Sequence, residues 1–246
     1  MKIYIGNIND YTTEYLTHLV SGERTDAAMK YRFEADRKRT LLAHALLNHA
    51  VSLTHPDMTL PVSPVTDEYG KPHLYFGVHS SSEIHFSLSH SGDYSVCAVS
   101  SHNVGVDIEK IGDDKERIAD RFFAEEEREY IQDAAGFYRI WTLKESFMKA
   151  VGWGMKLPLD AFSVSGLDEN TGICSFRPCK SRDDDNKDIN EEIAMTLGRS
   201  VTDKKTGYYT ISGRALSVIN GYSLAYSLCF VSPLELKMPD IVYPIL

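Results

Sequence analysis

Two short stretches carry residues whose types and spacing could do chemistry. The first is Gly105-Val106-Asp107-Ile108-Glu109. Its β-branched residues alternate with its carboxylates, and period two is the mark of a strand. Val106 and Ile108 then face a core, while Asp107 and Glu109 share the opposite, wet face, roughly 6.5–7 Å apart along the backbone. Side by side, two carboxylates repel unless a cation joins them. A lone Asp-x-Glu is more often just the solvated side of a strand. The second stretch, Trp141 through Ala150, shifts that balance. Ile140, Leu143, Phe147 and Ala150 recur at helical spacing, and Trp141 and Met148 widen the apolar stripe. Glu145 and Lys149 fall on one helix face, with Lys144 beside it. The plain reading is a surface pair worth about 0.2–0.5 kcal/mol. The chemical reading is a third carboxylate beside a phosphate-binding lysine. Together the two stretches supply the ligands of a divalent cation that holds a phosphorylated substrate. Mg²⁺ takes a few carboxylates together with phosphate oxygens and waters, and Mn²⁺ accepts the same set.

Other elements must position these groups. The helix that begins before Ile140 ends at Gly152-Trp153-Gly154, with Pro158 following. Residues 1–8 read as a strand, and helix-prone sequence runs from about 11 to 53. Its best part is Ala35 to Leu53, with Leu42, Leu46, His49 and Leu53 near one face. His44 and His49 are poorly spaced for a metal and read as core or surface histidines. Pro56, Pro61 and Pro64 mark a loop. Strands resume at Leu74-Tyr75-Phe76, at Ile84 to Leu88, and at Tyr94 to Val99. The sequence from Gly92 to Ser100 echoes that from Gly221 to Cys229, and each half has a main helix before its echo. The expected fold is therefore α+β: a pseudo-two-fold arrangement of two similar α/β halves, each a small antiparallel sheet with one main packing helix. The halves are expected at 1–102 and 103–246.

In this order and spacing the motifs resemble the 4′-phosphopantetheinyl transferases, in their larger, two-half branch. That family carries a G-[IV]-D-[IV]-E strand, an F-F-x-x-x-E turn and a W-[TS]-x-K-E-[SA]-[FY]-x-K-x-x-G-x-G helix. Here they read Gly105 to Glu109, Phe122-Phe123 with Glu127, and Trp141 to Gly154. Tyr69-Gly70-Lys71-Pro72 and Phe86 to Gly92 match two further blocks, and Arg39-Thr40-Leu41-Leu42 resembles the N-terminal helix. The match is strongest over about residues 69–165.

The resemblance implies transfer of the 4′-phosphopantetheine arm of coenzyme A to a serine of an apo acyl or peptidyl carrier protein. Adenosine 3′,5′-bisphosphate would leave. It implies Mg²⁺ on Asp107, Glu109 and Glu145, with Lys149 and, beside Glu145, Lys144 on the diphosphate. Ser89 and His90 would wrap the nucleotide, Lys71 would lie along the coenzyme A site, and Arg39 would meet the 3′-phosphate, with Arg24 as the nearby basic candidate. The first half becomes the nucleotide side and the second the metal and catalytic side. A carboxylate must take the serine proton. Glu145 is favoured and Glu109 is the alternative. Glu127 is given a supporting role. The short family members build their site between subunits, so a two-half chain implies a monomer. Two other readings fit the same carboxylates: a Mg²⁺-dependent enzyme of another nucleotide diphosphate, or a non-catalytic binder of coenzyme A or carrier protein.

Composition sets bounds. The chain has 246 residues, 43% hydrophobic and 25% charged, as in an ordinary globular protein. A net charge of −9 and the lack of a basic, aromatic-laced stripe argue against nucleic acid as a partner. No apolar run approaches the ~20 residues of a membrane span. The start, Met1-Lys2-Ile3-Tyr4-Ile5-Gly6, reads as a strand and not a signal peptide, which makes cytoplasm the default. Cys97, Cys174, Cys179 and Cys229 form no C-x-x-C pair; Cys97 and Cys229 are expected as buried thiols. Carrier proteins are usually acidic, so the docking surface is expected to be locally basic and apolar, around Phe123, Met148, Met155 and Lys156. The run Ser181 to Asp188 reads as a solvated loop and not a metal site.

Overall fold

The computed structural model describes residues 1–74, 84–113, 116–179, 211–229 and 236–246. The expected strand at Tyr75-Phe76 and the charged run from Ser181 to Asp188 lie outside these residues. In chain order the elements are β1 (Lys2–Asn7), α1 (Thr13–Thr17), α2 (Gly22–Met29), α3 (Glu34–Thr54), β2 (Val65–Thr66), β3 (Pro72–His73), β4 (His85–Ser91) and β5 (Tyr94–Ser100). There follow β6 (Val104–Lys110), α4 (Glu116–Phe122), α5 (Glu125–Arg128), α6 (Ala134–Val151), β7 (Phe162–Ser165), β8 (Ile173–Pro178), β9 (Ile211–Leu216), β10 (Tyr222–Cys229) and β11 (Asp240–Val242). Two compact units result. One comprises Met1–Asp67, Pro72–Ser101 and Met238–Leu246, the other Glu68–Lys71 and His102–Lys237.

The first unit holds a sheet of order β11-β1-β5-β4. β1, β5 and β4 are antiparallel neighbours, and β11 joins β1 in parallel. Helix α3 crosses this sheet. Leu41, Leu42, Ala45, Leu46 and Val51 are buried in one cluster with Tyr4, Phe86, Cys97 and Val99. With Leu47 and Ala50 of the same cluster these positions recur three and four apart, so one side of α3 supplies much of the core. Leu53 keeps the angular position of Leu42 and Leu46, yet it lies in the last turn of α3 and is 59% exposed.

The second unit holds a sheet of order β6-β10-β9-β8-β7 with every neighbour antiparallel. Helix α6 covers it. Phe137, Ile140, Leu143, Phe147 and Ala150 cluster with Val164, Cys174, Phe176, Ile211 and Ala225. Asp133 starts α6 by accepting the Gly136 N–H, and Gly152 ends it at φ 96°. Two hydroxyl pairs fix the helix to β10: Thr142 Oγ1 lies 2.9 Å from Ser223 Oγ, and Ser146 Oγ 2.8 Å from Ser227 Oγ. Both members of each pair are buried, so each hydroxyl answers the other's polarity.

The two units follow one plan. A first strand (β1 or β6) leads to the main helix (α3 or α6), and a later hairpin (β4–β5 or β9–β10) returns its second strand beside the first. The echo between residues 92–100 and 221–229 is thus the repeated hairpin strand, entered in each case by a left-handed glycine, Gly92 or Gly221. The chain is α+β, as expected. All four cysteines are free thiols, three of them buried. No described helix is long and apolar enough to cross a membrane.

Candidate active site

β6 and α6 bring the chemically interesting residues of the second unit together. The enabling residue is Gly105. A Cβ built there would meet Ser146 O at 1.9 Å and Ala150 N at 2.5 Å. No side chain fits, so the helix backbone rests directly on the strand. Two residues on, the same strand face carries Asp107, and four residues on it carries Glu109.

The carboxylate face of β6 is not the wet face: α6 covers it, and Asp107 is only 3% exposed, while Glu109 is half-buried. Val106 and Ile108, on the other face, are also fully buried. A strand buried on both faces hides its carboxylates unless they are compensated. Lys149 provides the compensation, its Nζ donating to Asp107 Oδ1 at 2.7 Å. Glu145 lies one helical turn before Lys149. Its carboxyl is pushed above the usual range, first by burial and then by Asp107, with Glu109 adding and Lys149 opposing. Three carboxylates therefore share one electrostatic field with one ammonium.

Among the described residues no group of three or more His, Cys, Asp or Glu side chains is arranged to hold a metal ion as it stands. The donor set nonetheless fits a hard divalent cation. It is all carboxylate oxygen, its charges repel one another, and three carboxylates against one ammonium leave two negative charges to neutralise.

Lys144 departs most from expectation. It was expected at the diphosphate, yet its side chain is fully buried and turned away from Glu145. Its ammonium donates to Glu127 Oε1 at 2.7 Å, Glu127 Oε2 at 2.9 Å and Phe162 O at 2.6 Å. Burial lowers its pKa, and Glu127 opposes that. The reason is geometric. Successive helical residues point about 100° apart, so the neighbour of a site residue need not face the site. Phe123 and Met148, expected at a docking surface, are also buried, at 3% and 1% exposure. Phe123 stacks on Phe137 instead. Lys156 is exposed, over the Tyr69 ring at 4.7 Å. The side chain of Met155 lies outside the described set.

Lys71 belongs to this second unit. Its ammonium donates to Ala150 O at 2.8 Å, placing a cation at the negative end of α6. Tyr69, two residues before it, stacks on Trp153 at 5.5 Å.

In the first unit, Arg39 reaches from α3 to the β4–β5 turn. Its Nη1 donates to Gly92 O and its Nη2 to Asp36 Oδ1, both at 2.5 Å. Ser89 is buried and His90 exposed on β4. His44 was read only as a structural histidine, but it shares an electrostatic neighbourhood with Arg24 and His90. Burial first, then Arg24 and His90, depress it to about 4, against a hydrogen bond to Thr40 O at 3.0 Å. Neither Glu127–Lys144 nor Arg24–His44 could be paired from sequence, because the partners lie 17 and 20 residues apart on different elements.

Residues 9–102 match the family described as "4'-phosphopantetheinyl transferase, N-terminal", and residues 103–197 match the "4'-phosphopantetheinyl transferase superfamily". The chain is 35% identical over 175 residues to the 4'-phosphopantetheinyl transferase gsp of Aneurinibacillus migulanus, covering 68% of this chain and 70% of that one. It is 34% identical over 157 residues to the 4'-phosphopantetheinyl transferase Sfp of Bacillus subtilis (strain 168), covering 61% and 68%. It is also 38% identical over 123 residues to the L-aminoadipate-semialdehyde dehydrogenase-phosphopantetheinyl transferase of Xenopus laevis, covering 42% and 40%.

Proposed function

Because the chain belongs to the 4′-phosphopantetheinyl transferase family, and so transfers phosphopantetheine, we propose the following chemistry for its residues. The substrate is coenzyme A. The acceptor is a serine hydroxyl of an apo acyl or peptidyl carrier protein. The hydroxyl attacks the β-phosphorus, which bears the pantetheine arm, and adenosine 3′,5′-bisphosphate leaves. The chain acts as a monomer.

Phosphoryl transfer needs positioning and charge neutralisation more than covalent help. Asp107, Glu109 and Glu145 are the residues that would hold Mg²⁺, or Mn²⁺ in its place. When bound, the cation supplies Lewis-acid neutralisation of the diphosphate. Lys149 adds a fixed positive charge for the diphosphate. Glu145 takes the serine proton, with Glu109 as the alternative. Burial and Asp107 raise the Glu145 carboxyl above its ordinary range, which makes it a stronger base than an exposed carboxylate. The residues 1–102 supply the nucleotide side through Arg39, Ser89 and His90, and 103–246 the metal and catalytic side. Lys71 orders the end of α6 beside the pantetheine path.

The observation that carries this reading is the Lys149 ammonium on Asp107, with Glu145 in the same field. The test is to incubate the protein with coenzyme A, Mg²⁺ and an apo carrier protein, and follow carrier mass and nucleotide release together. One phosphopantetheine gained per adenosine 3′,5′-bisphosphate released, and neither with a Ser→Ala carrier, supports it. Nucleotide release without carrier modification contradicts it.

A further inference from the structure

Glu127 and Lys144 form a fully buried ion pair that the transfer chemistry leaves without a role. The side chains of both are 0% exposed. Glu127 does more than meet the ammonium: Oε2 accepts the Ala124 N–H at 2.8 Å and Oε1 the Val164 N–H at 2.7 Å. Lys144 adds its bond to Phe162 O, and its ammonium lies 4.4 Å from the centre of the Phe162 ring and 5.5 Å from that of Phe123. One lysine of α6 is thus tied to the start of α5 and to both first and third residues of β7.

We propose that Glu127 and Lys144 are positioning residues of the transfer site: their pair fixes the rotation of α6 about its axis and so aims Glu145 and Lys149 at β6. The inference rests on the function proposed above. A helix turns about 100° per residue. The Lys144 spoke therefore stands about 100° from Glu145 and about 140° from Lys149. Holding that spoke holds the other two. An apolar helix face tolerates small rotations and slips, because its contacts are non-directional. Hydrogen bonds to a carboxylate and a carbonyl do not tolerate them. A buried pair adds little net stability over well-packed apolar replacements, so direction is what this one distinctively supplies. The other flank of α6 is already fixed by its backbone contact at Gly105 and by the Thr142–Ser223 and Ser146–Ser227 hydroxyl pairs. The pair closes the remaining freedom.

The test compares Glu127→Gln, Lys144→Met and the double variant, each checked for folding by circular dichroism and thermal unfolding. Two readouts follow: kcat and KM for coenzyme A, and Mn²⁺ affinity without coenzyme A by electron paramagnetic resonance. In folded variants kcat falls about 10–100-fold, as displacement of positioned groups by an ångström or less predicts. KM for coenzyme A stays within about twofold, and Mn²⁺ binds about tenfold more weakly, as loss of a supporting shell predicts. The double variant removes both charges and folds even where Lys144→Met alone, with a stranded carboxylate, does not. A folded double variant with wild-type kcat and Mn²⁺ affinity overturns the proposal. So does a lowered Tm with kcat per folded molecule unchanged, which is a structural role only. If the wild-type protein itself binds no Mn²⁺ and modifies no carrier, the functional reading fails first and takes this inference with it.

Discussion

Lys149 Nζ lies 2.7 Å from Asp107 Oδ1, joining the middle of β6 to the last turn of α6 across a contact that only Gly105 permits. The Asp107 side chain is 5% exposed and that of Lys149 29%. The aspartate is therefore held inside the fold by a cation that still reaches water. Lys149→Met strands a buried carboxylate and is expected to cost about 2 kcal/mol of stability. Added Mg²⁺ should recover more of that loss than it adds to the wild-type protein. Thermal unfolding with and without Mg²⁺ checks both.

Gly105→Ala forces a Cβ against the backbone of α6, with Ser146 O at 1.9 Å. Backbone cannot yield as a flexible side chain can, so helix and strand must separate. A loss of about 3 kcal/mol is expected, at the upper end for overpacking. Transfer should fall with it, because the separation moves Glu145 and Lys149 away from Asp107. Urea unfolding and the transfer rate, measured on the same preparation, report the two effects.

Glu145 makes stability depend on pH with a definite sign. Its carboxyl is raised in the folded protein by burial and by Asp107. Above the ordinary carboxylate range the folded state therefore binds more protons than the unfolded one, and this group's contribution falls as pH rises. Glu145→Gln removes the penalty. The variant should unfold at a higher temperature than the wild type at pH 7 without Mg²⁺, and show no such gain near pH 3, below both pKa values.

His44 acts with the opposite sign. It is held neutral, at about 4, by burial and by Arg24. Between there and the ordinary histidine range the unfolded state binds the extra proton, so stability is lost as pH falls from about 6.5 toward 4. The first unit carries an acid sensitivity on the order of 3 kcal/mol from this group. His44→Gln should flatten that part of the pH profile of urea unfolding. An anion bound beside Arg24 should also raise the His44 pKa, which NMR titration of its ring with inorganic phosphate would show.

The repeated plan of the two halves was legible in the echo of residues 92–100 with 221–229, and the shared field of Asp107, Glu145 and Lys149 in the short-range periodicity of one strand and one helix. Strand alternation put Asp107 and Glu109 on one face, and helical spacing put Glu145 beside Lys149. What periodicity does not carry is what lies over each face. Asp107 was expected in solvent because a strand pattern does not reveal a helix resting on it through Gly105. Phe123 and Met148 were expected outside, yet they belong to the core beneath α6. Lys144 looks from its neighbours like a site residue, and only the fold brings Glu127 to it. Its burial leaves no local trace, because a buried lysine and an exposed one are written alike.

The role of Asp107 is tested by the intact mass of an apo carrier protein after reaction with the Asp107→Asn variant, at saturating coenzyme A and Mg²⁺. Asn keeps the size of the side chain, but removes the charge that Lys149 faces and that the proposed cation would need. Transfer is expected at least about 100-fold slower than wild type, with the wild-type reaction abolished by EDTA. Wild-type transfer by Asp107→Asn, or full activity of the native protein in EDTA, would contradict it.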